Sequence, residues 1–364
     1  MAIKKKGLFK GPKTLSIIPT YTCTAECRDC GTFSSPRDHT CLGLETILAA
    51  IDQAKELGFY NIVFTGGEST LRWKDLLTSI EYAHSIGFPT RIVTNAHWAT
   101  SMKRANEYID ELIKVGLSEI NYSTGDEHTR FVPIEHIINA TVAALERNLR
   151  VCIMIELKAE RKITMADILE HPMITSLKTK QRKLLQVSEG PWMRVNPFSV
   201  EQYPEDIVIN KNNVAMCTGC DSVLQTYVSE ANGRIGACCG LGMRIIPELN
   251  IGVSQGKNFL KKAIEDSEND FLKVWLYCKG PEKILAWAAE KNPEIKWENM
   301  YAHRCQACLR LYKDPKVAEV IREYYTEMIS DVLQSLWLET ELIPEKLSDS
   351  VKLYRRYDEV DCAQ

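Results

Sequence analysis

The sequence lacks any apolar run near the roughly 18 residues of a membrane span, so we expect no transmembrane helix. It also has little net charge, −3 over 364 residues, which removes the usual reason to expect nucleic acid as a partner. The first 13 residues lack the apolar stretch of a signal peptide, so we expect a cytoplasmic protein. Internal repeats and low-complexity stretches are not evident in the sequence either.

Cysteine, by contrast, is abundant and clustered, with 13 residues in the chain. A disulfide framework would be expected in an exported protein, which the N-terminus does not indicate. In a reducing compartment, closely spaced cysteines are typical of metal ligands, because neighbouring thiolates reach one centre without moving the backbone. The clustered cysteines are Cys23, Cys27 and Cys30; Cys217 and Cys220; Cys238 and Cys239; and Cys305 and Cys308.

Residues 14–190 alternate short apolar runs with amphipathic helical patterns. The predicted strands are Thr14–Ile18, Asn61–Thr65, Thr90–Thr94, Ser118–Ser123, Arg150–Glu156 and Lys183–Val187. Three of the helical patterns end at Gly58, Gly87 and Gly116, where glycine favours helix termination. This alternation predicts an α/β fold with a parallel sheet, and six units favour an open barrel over a closed eight-unit one.

The alternation of predicted strands and helices ends at about residue 190. Residues 193–252 are rich in proline, asparagine and glycine and hold four cysteines, whereas Asp314–Leu342 has a helical pattern again. We therefore predict a core at 14–190, a smaller cysteine-rich domain at 191–312, and a C-terminal helix with a charged tail at 313–364.

Three thiols follow the first predicted strand with the spacing Cys23-x3-Cys27-x2-Cys30. Parallel α/β barrels have their active sites at the carboxyl ends of the strands. Three thiolates can hold three corners of an iron–sulfur cubane and leave the fourth iron open, as a reaction centre requires. A zinc site completed by His39 or Cys41 is the alternative.

This motif resembles that of the radical S-adenosylmethionine (SAM) superfamily, which implies a partial (β/α)6 TIM-like barrel over about residues 14–190. The resemblance implies a [4Fe–4S] cluster whose open iron binds SAM, and cleavage of SAM to a 5′-deoxyadenosyl radical. Other positions agree with the family: Gly66, Gly67 and Glu68 end the second strand, Asn95 the third and Ser123 the fourth. The resemblance assigns all five to SAM, with Glu68 accepting from its ammonium group.

Two positions depart from the family pattern. The residue before the third cysteine is usually aromatic and packs near the adenine, but here it is Asp29. The proline that often follows Gly-Gly-Glu is Ser69. The first departure leaves the adenine without its usual aromatic contact, and neither touches the cluster ligands.

The later cysteines resemble a twitch domain, a shortened SPASM domain that holds one auxiliary [4Fe–4S] cluster. On that resemblance the ligands are Cys220, Cys238, Cys305 and Cys308, with Cys217 as an alternative to Cys220. A structural zinc held by Cys217, Cys220, Cys305 and Cys308 is the competing hypothesis.

Cys239 directly follows the predicted ligand Cys238 and is not itself assigned to either cluster. A free thiol there can return a hydrogen atom to a substrate radical, an arrangement that resembles radical SAM peptide epimerases. The alternative is a small packed side chain, the usual fate of a free cysteine.

The leading functional prediction is an oxidoreductase-type radical SAM enzyme that modifies a peptide by epimerisation or cross-linking. The expected electron donor is a flavodoxin or ferredoxin. A second hypothesis keeps the chemistry but takes a small sugar or aminoglycoside as substrate. A third, from another class, is a non-catalytic protein that binds zinc or iron and interacts with partners.

Overall fold

The computed structural model of the protein describes residues 13–342. Its strands, numbered in chain order, are β1 Thr14–Ile17, β2 Asn61–Phe64, β3 Thr90–Thr94, β4 Glu119–Thr124, β5 Arg150–Leu157, β6 Leu185–Pro191, β7 Thr226–Ser229, β8 Arg234–Gly236 and β9 Asn250–Val253. The predicted charged tail lies outside the described residues, apart from its first positions.

The α-helices fall into two groups, one on the barrel and one after it. The barrel helices are α1 Leu44–Glu56, α2 Trp73–Ser85, α3 Met102–Lys114, α4 Ile134–Glu146, α5 Met165–Leu169, α6 Pro172–Thr175 and α7 Thr179–Arg182. The later helices are α8 Phe259–Ser267, α9 Phe271–Lys279, α10 Pro281–Lys291, α11 Arg304–Lys313, α12 Pro315–Tyr324 and α13 Ile329–Trp337. None of the helices within 13–342 has both the length and the apolar character needed to cross a membrane.

The strands of residues 13–342 form one sheet in the order β6-β5-β4-β3-β2-β1-β7-β8-β9. Strands β1 to β6 are parallel and lie in chain order, with crossover helices between them. The predicted α/β class and partial (β/α)6 barrel are confirmed. The three helix-ending glycines, Gly58, Gly87 and Gly116, all have positive φ, as the sequence pattern predicts.

The cysteine-rich segment joins the barrel sheet instead of standing apart from it. Strand β7 pairs in parallel with β1, from Thr14 opposite Thr226 to Ile17 opposite Ser229, and β8 and β9 continue as antiparallel strands. One hydrophobic core lies between the barrel strands and helices, and a second is built mainly from residues 223–336. Ile18 and Tyr21, just after β1, belong to the second core, so the loop after β1 connects the two.

The predicted C-terminal helical stretch, Asp314–Leu342, is interrupted. Helix α12 ends at Tyr324, a 3-10 turn spans Tyr325–Met328, α13 follows, and a π-helical turn covers Leu338–Leu342. The predicted apolar side of this stretch comprises Val317, Val320, Ile321, Tyr324, Tyr325 and Met328. The first three are buried, Tyr324 and Met328 pack against the second core while partly exposed, and Tyr325 is exposed.

Candidate functional site

The polar residues singled out in the sequence meet at the carboxyl ends of the barrel strands. The loop with Cys23, Cys27 and Cys30 follows β1, the Gly66–Glu68 turn follows β2, and Asn95 follows β3. Ser123 is the last residue but one of β4. Because parallel strands present their carboxyl ends at one edge of the sheet, these residues converge on one face of the barrel.

Two glycines allow the turn after β2 to lie directly against the cysteine loop. Gly66 has φ +114°, and a Cβ there would stand 2.3 Å from the Ile18 Cγ2 atom. A Cβ on Gly67 would stand 2.3 Å from the Thr22 carbonyl oxygen. The Gly67 and Glu68 amides donate to the Thr20 and Thr22 carbonyls at 3.1 and 2.8 Å. The glycines therefore hold the start of the cysteine loop in place.

The Glu68 carboxylate, which the resemblance assigns to the SAM ammonium group, also accepts hydrogen bonds from several protein donors. The Glu68 side chain is fully buried, and Oε1 accepts from the Thr70 amide at 3.3 Å, the Thr70 hydroxyl at 2.6 Å and the Thr94 hydroxyl at 2.8 Å. Oε2 accepts from the Asn95 amide at 2.9 Å. The carboxylate is thus engaged by protein donors and joins the end of β2 to the end of β3.

The three thiols of the first motif line one cavity of about 190 Å³ together with the other predicted SAM residues. Asn95 enters this cavity, and its Nδ2 donates to the Thr24 hydroxyl at 3.0 Å and to the Cys23 sulfur at 3.8 Å. The shared lining comprises Cys23, Cys27, Cys30, Gly66, Gly67, Asn95 and Ser123, and Glu68 is outside it.

Burial controls the protonation of this site. It raises the pKa of the Cys23 thiol to about 12, with further upward contributions from Glu68 and Cys30 and an opposing hydrogen bond from the Ala25 amide. Burial also raises the pKa of Cys27, and Cys30 and Cys23 raise it further. Without a metal, the Cys23 and Cys27 thiols hold their protons near neutral pH. Binding of iron by these two residues must therefore release protons.

The second group of thiols converges on a much smaller cavity of about 30 Å³. Cys220, Cys238, Cys305 and Cys308 all line it. Gly240 leaves room beside them, since a Cβ at that position would stand 2.8 Å from the Cys305 sulfur and 3.8 Å from the Cys238 sulfur. Burial raises the pKa of all four thiols. The arrangement fits soft thiolate ligation at this position.

Cys217 lies apart from these four thiols. It does not line their cavity, and the charged groups that influence its pKa are Glu282, Lys283 and Arg304. The sequence spacing allows either Cys217 or Cys220 to be the fourth ligand. The structure brings Cys220 to the other three cysteines.

Over residues 13–342, no group of three or more His, Cys, Asp or Glu side chains is arranged to hold a single metal ion. A zinc site needs thiolates gathered around one atom at about 2.3 Å. The thiolates of a cubane are farther apart because each binds a different iron.

A larger cavity of about 590 Å³ lies between the two groups of thiols. It shares Gly31 and Trp192 with the first cavity, and Cys220 and Cys305 with the second. Cys239 is exposed on its wall, with its sulfur 3.4 Å from the Ser222 hydroxyl oxygen. The larger cavity therefore adjoins both of the smaller ones.

Three residues of the site escape prediction from the sequence. Trp192, directly after β6, lines both larger cavities, and His128 lines the first. The His128 Nδ1 atom lies 2.5 Å from the Glu156 Oε1 atom, and the same carboxylate accepts from the Glu127 and His128 amides. Glu156 is a charged residue near the end of β5, where the neighbouring positions are apolar. This contrast is the sequence signal that could have identified it.

The chain is similar in sequence and in fold to known proteins. Residues 17–157 match the radical SAM superfamily. A protein of Bacillus subtilis (strain 168) named for peptide biosynthesis, YydG, is 24% identical over 324 residues, which cover 87% of this chain and 96% of YydG.

Two solved structures share the fold at low sequence identity. One is native anSMEcpe with bound AdoMet and Cp18Cys peptide, 12% identical, with a TM-score of 0.50 over 90% of this chain and 99% of that one. The other is a histidine-tagged form of anSMEcpe with bound AdoMet, 13% identical, with a TM-score of 0.51 over 86% of this chain and 100% of that one.

Proposed function

We propose that this chain, which contains a radical SAM domain over residues 17–157, modifies a peptide by epimerising an amino-acid residue. The observation that carries the proposal is the cavity of about 590 Å³ between two groups of thiols, with the exposed thiol of Cys239 on its wall. Cross-linking of the peptide is the competing outcome, and the experiment below distinguishes the two.

The cofactors of a radical SAM enzyme are a [4Fe–4S] cluster and SAM. In this chain Cys23, Cys27 and Cys30 would hold the cluster, and Gly66, Gly67, Asn95 and Ser123 would face SAM, because all seven line one cavity. When bound there, SAM supplies a 5′-deoxyadenosyl radical that removes a hydrogen atom from the substrate. The protein's part is to hold the substrate in the adjoining cavity and to exclude water from it.

We further propose residues 191–312 as an auxiliary-cluster domain. Cys220, Cys238, Cys305 and Cys308 would bind one additional [4Fe–4S] cluster, since these four thiols surround one small cavity. The sharing of Cys220 and Cys305 with the larger cavity supports an auxiliary cluster next to the proposed substrate cavity.

The role proposed for Cys239 is to donate a hydrogen atom. Its S–H bond breaks as a new C–H bond forms on the face of the Cα atom opposite the abstraction, which inverts the residue. The sulfur is left as a thiyl radical, and one electron and one proton return it to the thiol. A flavodoxin- or ferredoxin-type donor would supply this electron and also the one that cleavage of SAM consumes.

A peptide substrate is supported by the similarity to YydG, a protein named for peptide biosynthesis, which extends over 87% of this chain.

The experiment is anaerobic reconstitution with iron and sulfide, followed by incubation with SAM, dithionite and short peptides encoded beside the gene, in deuterated water. Epimerisation predicts gain of a single deuterium at a Cα position, because thiols exchange with solvent. Cross-linking predicts loss of two hydrogen atoms without deuterium. Absence of 5′-deoxyadenosine from the fully loaded protein would refute radical SAM chemistry here.

A further inference from the structure

The hydroxyl group of Thr32 lies beside the thiol of Cys30, the last cysteine of the first motif. Its oxygen is 3.3 Å from the Cys30 sulfur and 2.9 Å from the hydroxyl oxygen of the buried Ser34. The Gly66 carbonyl oxygen is more distant, at 3.5 Å. A thiolate that binds iron has no proton, so only the Thr32 hydroxyl can then donate in the contact with Cys30, while Ser34 can donate to Thr32 in turn.

A tight turn after Cys30 holds this hydroxyl in place. The Phe33 amide donates to the Cys30 carbonyl at 3.0 Å, which closes the turn around Thr32. Phe33 has φ +51°, a left-handed conformation that is unusual for an aromatic residue. Such a conformation persists only where the surrounding contacts fix it.

Arg244, in the segment between β8 and β9, supplies several of those contacts. Its Nη1 donates to the Thr32 carbonyl. Its Cζ atom lies 3.6 Å from the centroid of the Tyr21 ring and 6.0 Å from that of the Phe33 ring, within the roughly 6 Å range of cation–π contacts. A cation from the proposed auxiliary-cluster domain therefore contacts the cysteine loop at three residues.

The Tyr21 ring beneath this guanidinium is itself held by the other domain. Its hydroxyl donates to the Glu230 Oε2 atom at 2.6 Å, and both residues are only 1% exposed. Tyr21 follows β1 and Glu230 follows β7, and these two strands pair in parallel. The place where Arg244 meets the cysteine loop is thus set by the sheet.

Hydrogen bonds to the sulfur ligands are among the factors that set the reduction potential of an iron–sulfur cluster. Reduction adds negative charge that the ligand sulfurs share. A hydroxyl that donates to one of these sulfurs therefore stabilises the reduced cluster more than the oxidised one, and it raises the potential.

We propose that the Thr32 hydroxyl donates to the Cys30 thiolate when Cys30 binds iron, and that it raises the reduction potential of the first cluster. Arg244 is the positioning residue, because it holds the Thr32 backbone from the second domain. The inference rests on the proposed function, because it takes the three cysteines of the first motif to hold a cluster.

The test measures the midpoint potential of the first cluster in the full chain, reconstituted anaerobically without SAM, by redox titration followed with electron paramagnetic resonance. Omitting SAM removes any effect of a substitution on SAM binding. The auxiliary signal is identified in a variant that lacks all three cysteines of the first motif.

The Thr32 variants separate the hydroxyl from the rest of the side chain. Thr32→Val replaces the hydroxyl by a methyl group of similar size, whereas Thr32→Ser and Thr32→Ala differ from each other by the hydroxyl alone. We expect a lower potential in Thr32→Val and Thr32→Ala, a potential near that of wild type in Thr32→Ser, and unchanged iron content in all three.

Thr141→Val is the matched control. Thr141 is fully buried on α4, and its hydroxyl has no hydrogen-bond partner within the described residues 13–342. The same chemical change at this position should leave the potential of the first cluster at the wild-type value.

Arg244→Ala tests the positioning role. It should lower the potential, because the Thr32 carbonyl loses its donor. The double variant Thr32→Val/Arg244→Ala should have the same potential as Thr32→Val, since Arg244 acts through Thr32. Additive shifts would mean that the guanidinium acts by its own charge, and they would overturn the positioning role.

An unchanged potential in Thr32→Val with full iron would overturn the inference, and so would equal potentials in Thr32→Ser and Thr32→Ala. If Thr32→Val binds less iron, the comparison of the serine and alanine variants decides, because neither adds a methyl group next to the sulfur. Failure of the proposed function is distinct, since wild type would then have no cluster signal that depends on the first three cysteines.

Discussion

The Cys239 sulfur lies 3.4 Å from the Ser222 hydroxyl oxygen and faces the large cavity, while the adjacent Cys238 is buried among the four converging thiols. Neighbouring cysteines therefore point to different tasks. The pair provides an internal comparison in which one substitution should alter the product and the other the metal content.

Cys239→Ala should retain both clusters and still form 5′-deoxyadenosine with peptide present, because hydrogen abstraction precedes hydrogen return. The epimerised product should disappear, as measured by deuterium incorporation and chiral amino-acid analysis. Normal product with full iron would contradict a donor role; Cys239 would then be a packed side chain whose loss costs on the order of 1 kcal/mol.

Cys238→Ala, its neighbour, should lose iron instead, because a buried ligand is removed. If the phenotypes of the two variants were exchanged, the assignment of ligand and free thiol would be reversed.

The first group of thiols should account for half of the metal. Wild type reconstituted anaerobically should bind about eight irons, as two cubanes. Replacing Cys23, Cys27 and Cys30 together by alanine should remove about half of this iron and all SAM cleavage, as measured by iron analysis and chromatography of 5′-deoxyadenosine. SAM cleavage by the triple variant would refute the central assignment.

Cys217 and Cys220 form a second matched pair. Cys220→Ser should lower the iron count and the auxiliary-cluster signal in electron paramagnetic resonance, because this thiol faces Cys238, Cys305 and Cys308. Cys217→Ser should leave both unchanged, since its sulfur lies outside their cavity. Loss of iron in Cys217→Ser alone would restore the alternative ligand that the spacing allows.

Glu68→Ala should reduce stability and SAM affinity together. The buried carboxylate accepts from Thr70, Thr94 and Asn95, so its loss leaves buried donors without partners, at about 1–3 kcal/mol each. Thermal denaturation and SAM titration of the same preparation measure both effects. The control is Ser123→Ala, which lines the cavity and should weaken SAM without a comparable loss of stability.

A weaker SAM affinity in Glu68→Ala at unchanged stability would mean that Glu68 contacts SAM directly, as the family resemblance implies. The Oε2 atom, which accepts from the Asn95 amide, would then also accept from the SAM ammonium group.

Much of the barrel could be predicted from the sequence because its signals are local. Apolar runs, helical spacing and terminating glycines such as Gly58, Gly87 and Gly116 act within a few residues, and they predict β1 to β6 in the order that the sheet has. The spacing of Cys23, Cys27 and Cys30 is equally local, and a single loop brings these thiols to one cavity.

Only the tertiary structure could decide relations between distant segments. The pairing of β7 with β1 joins residues more than 200 positions apart, and no periodicity encodes it. The choice of Cys220 over Cys217 depends on where α11 places Cys305 and Cys308. Likewise, the hydrogen bonds of the Glu68 carboxylate depend on Thr94 and Asn95 at the end of β3. Sequence patterns record which face of an element is buried, whereas the partner across the core depends on how the packed elements meet.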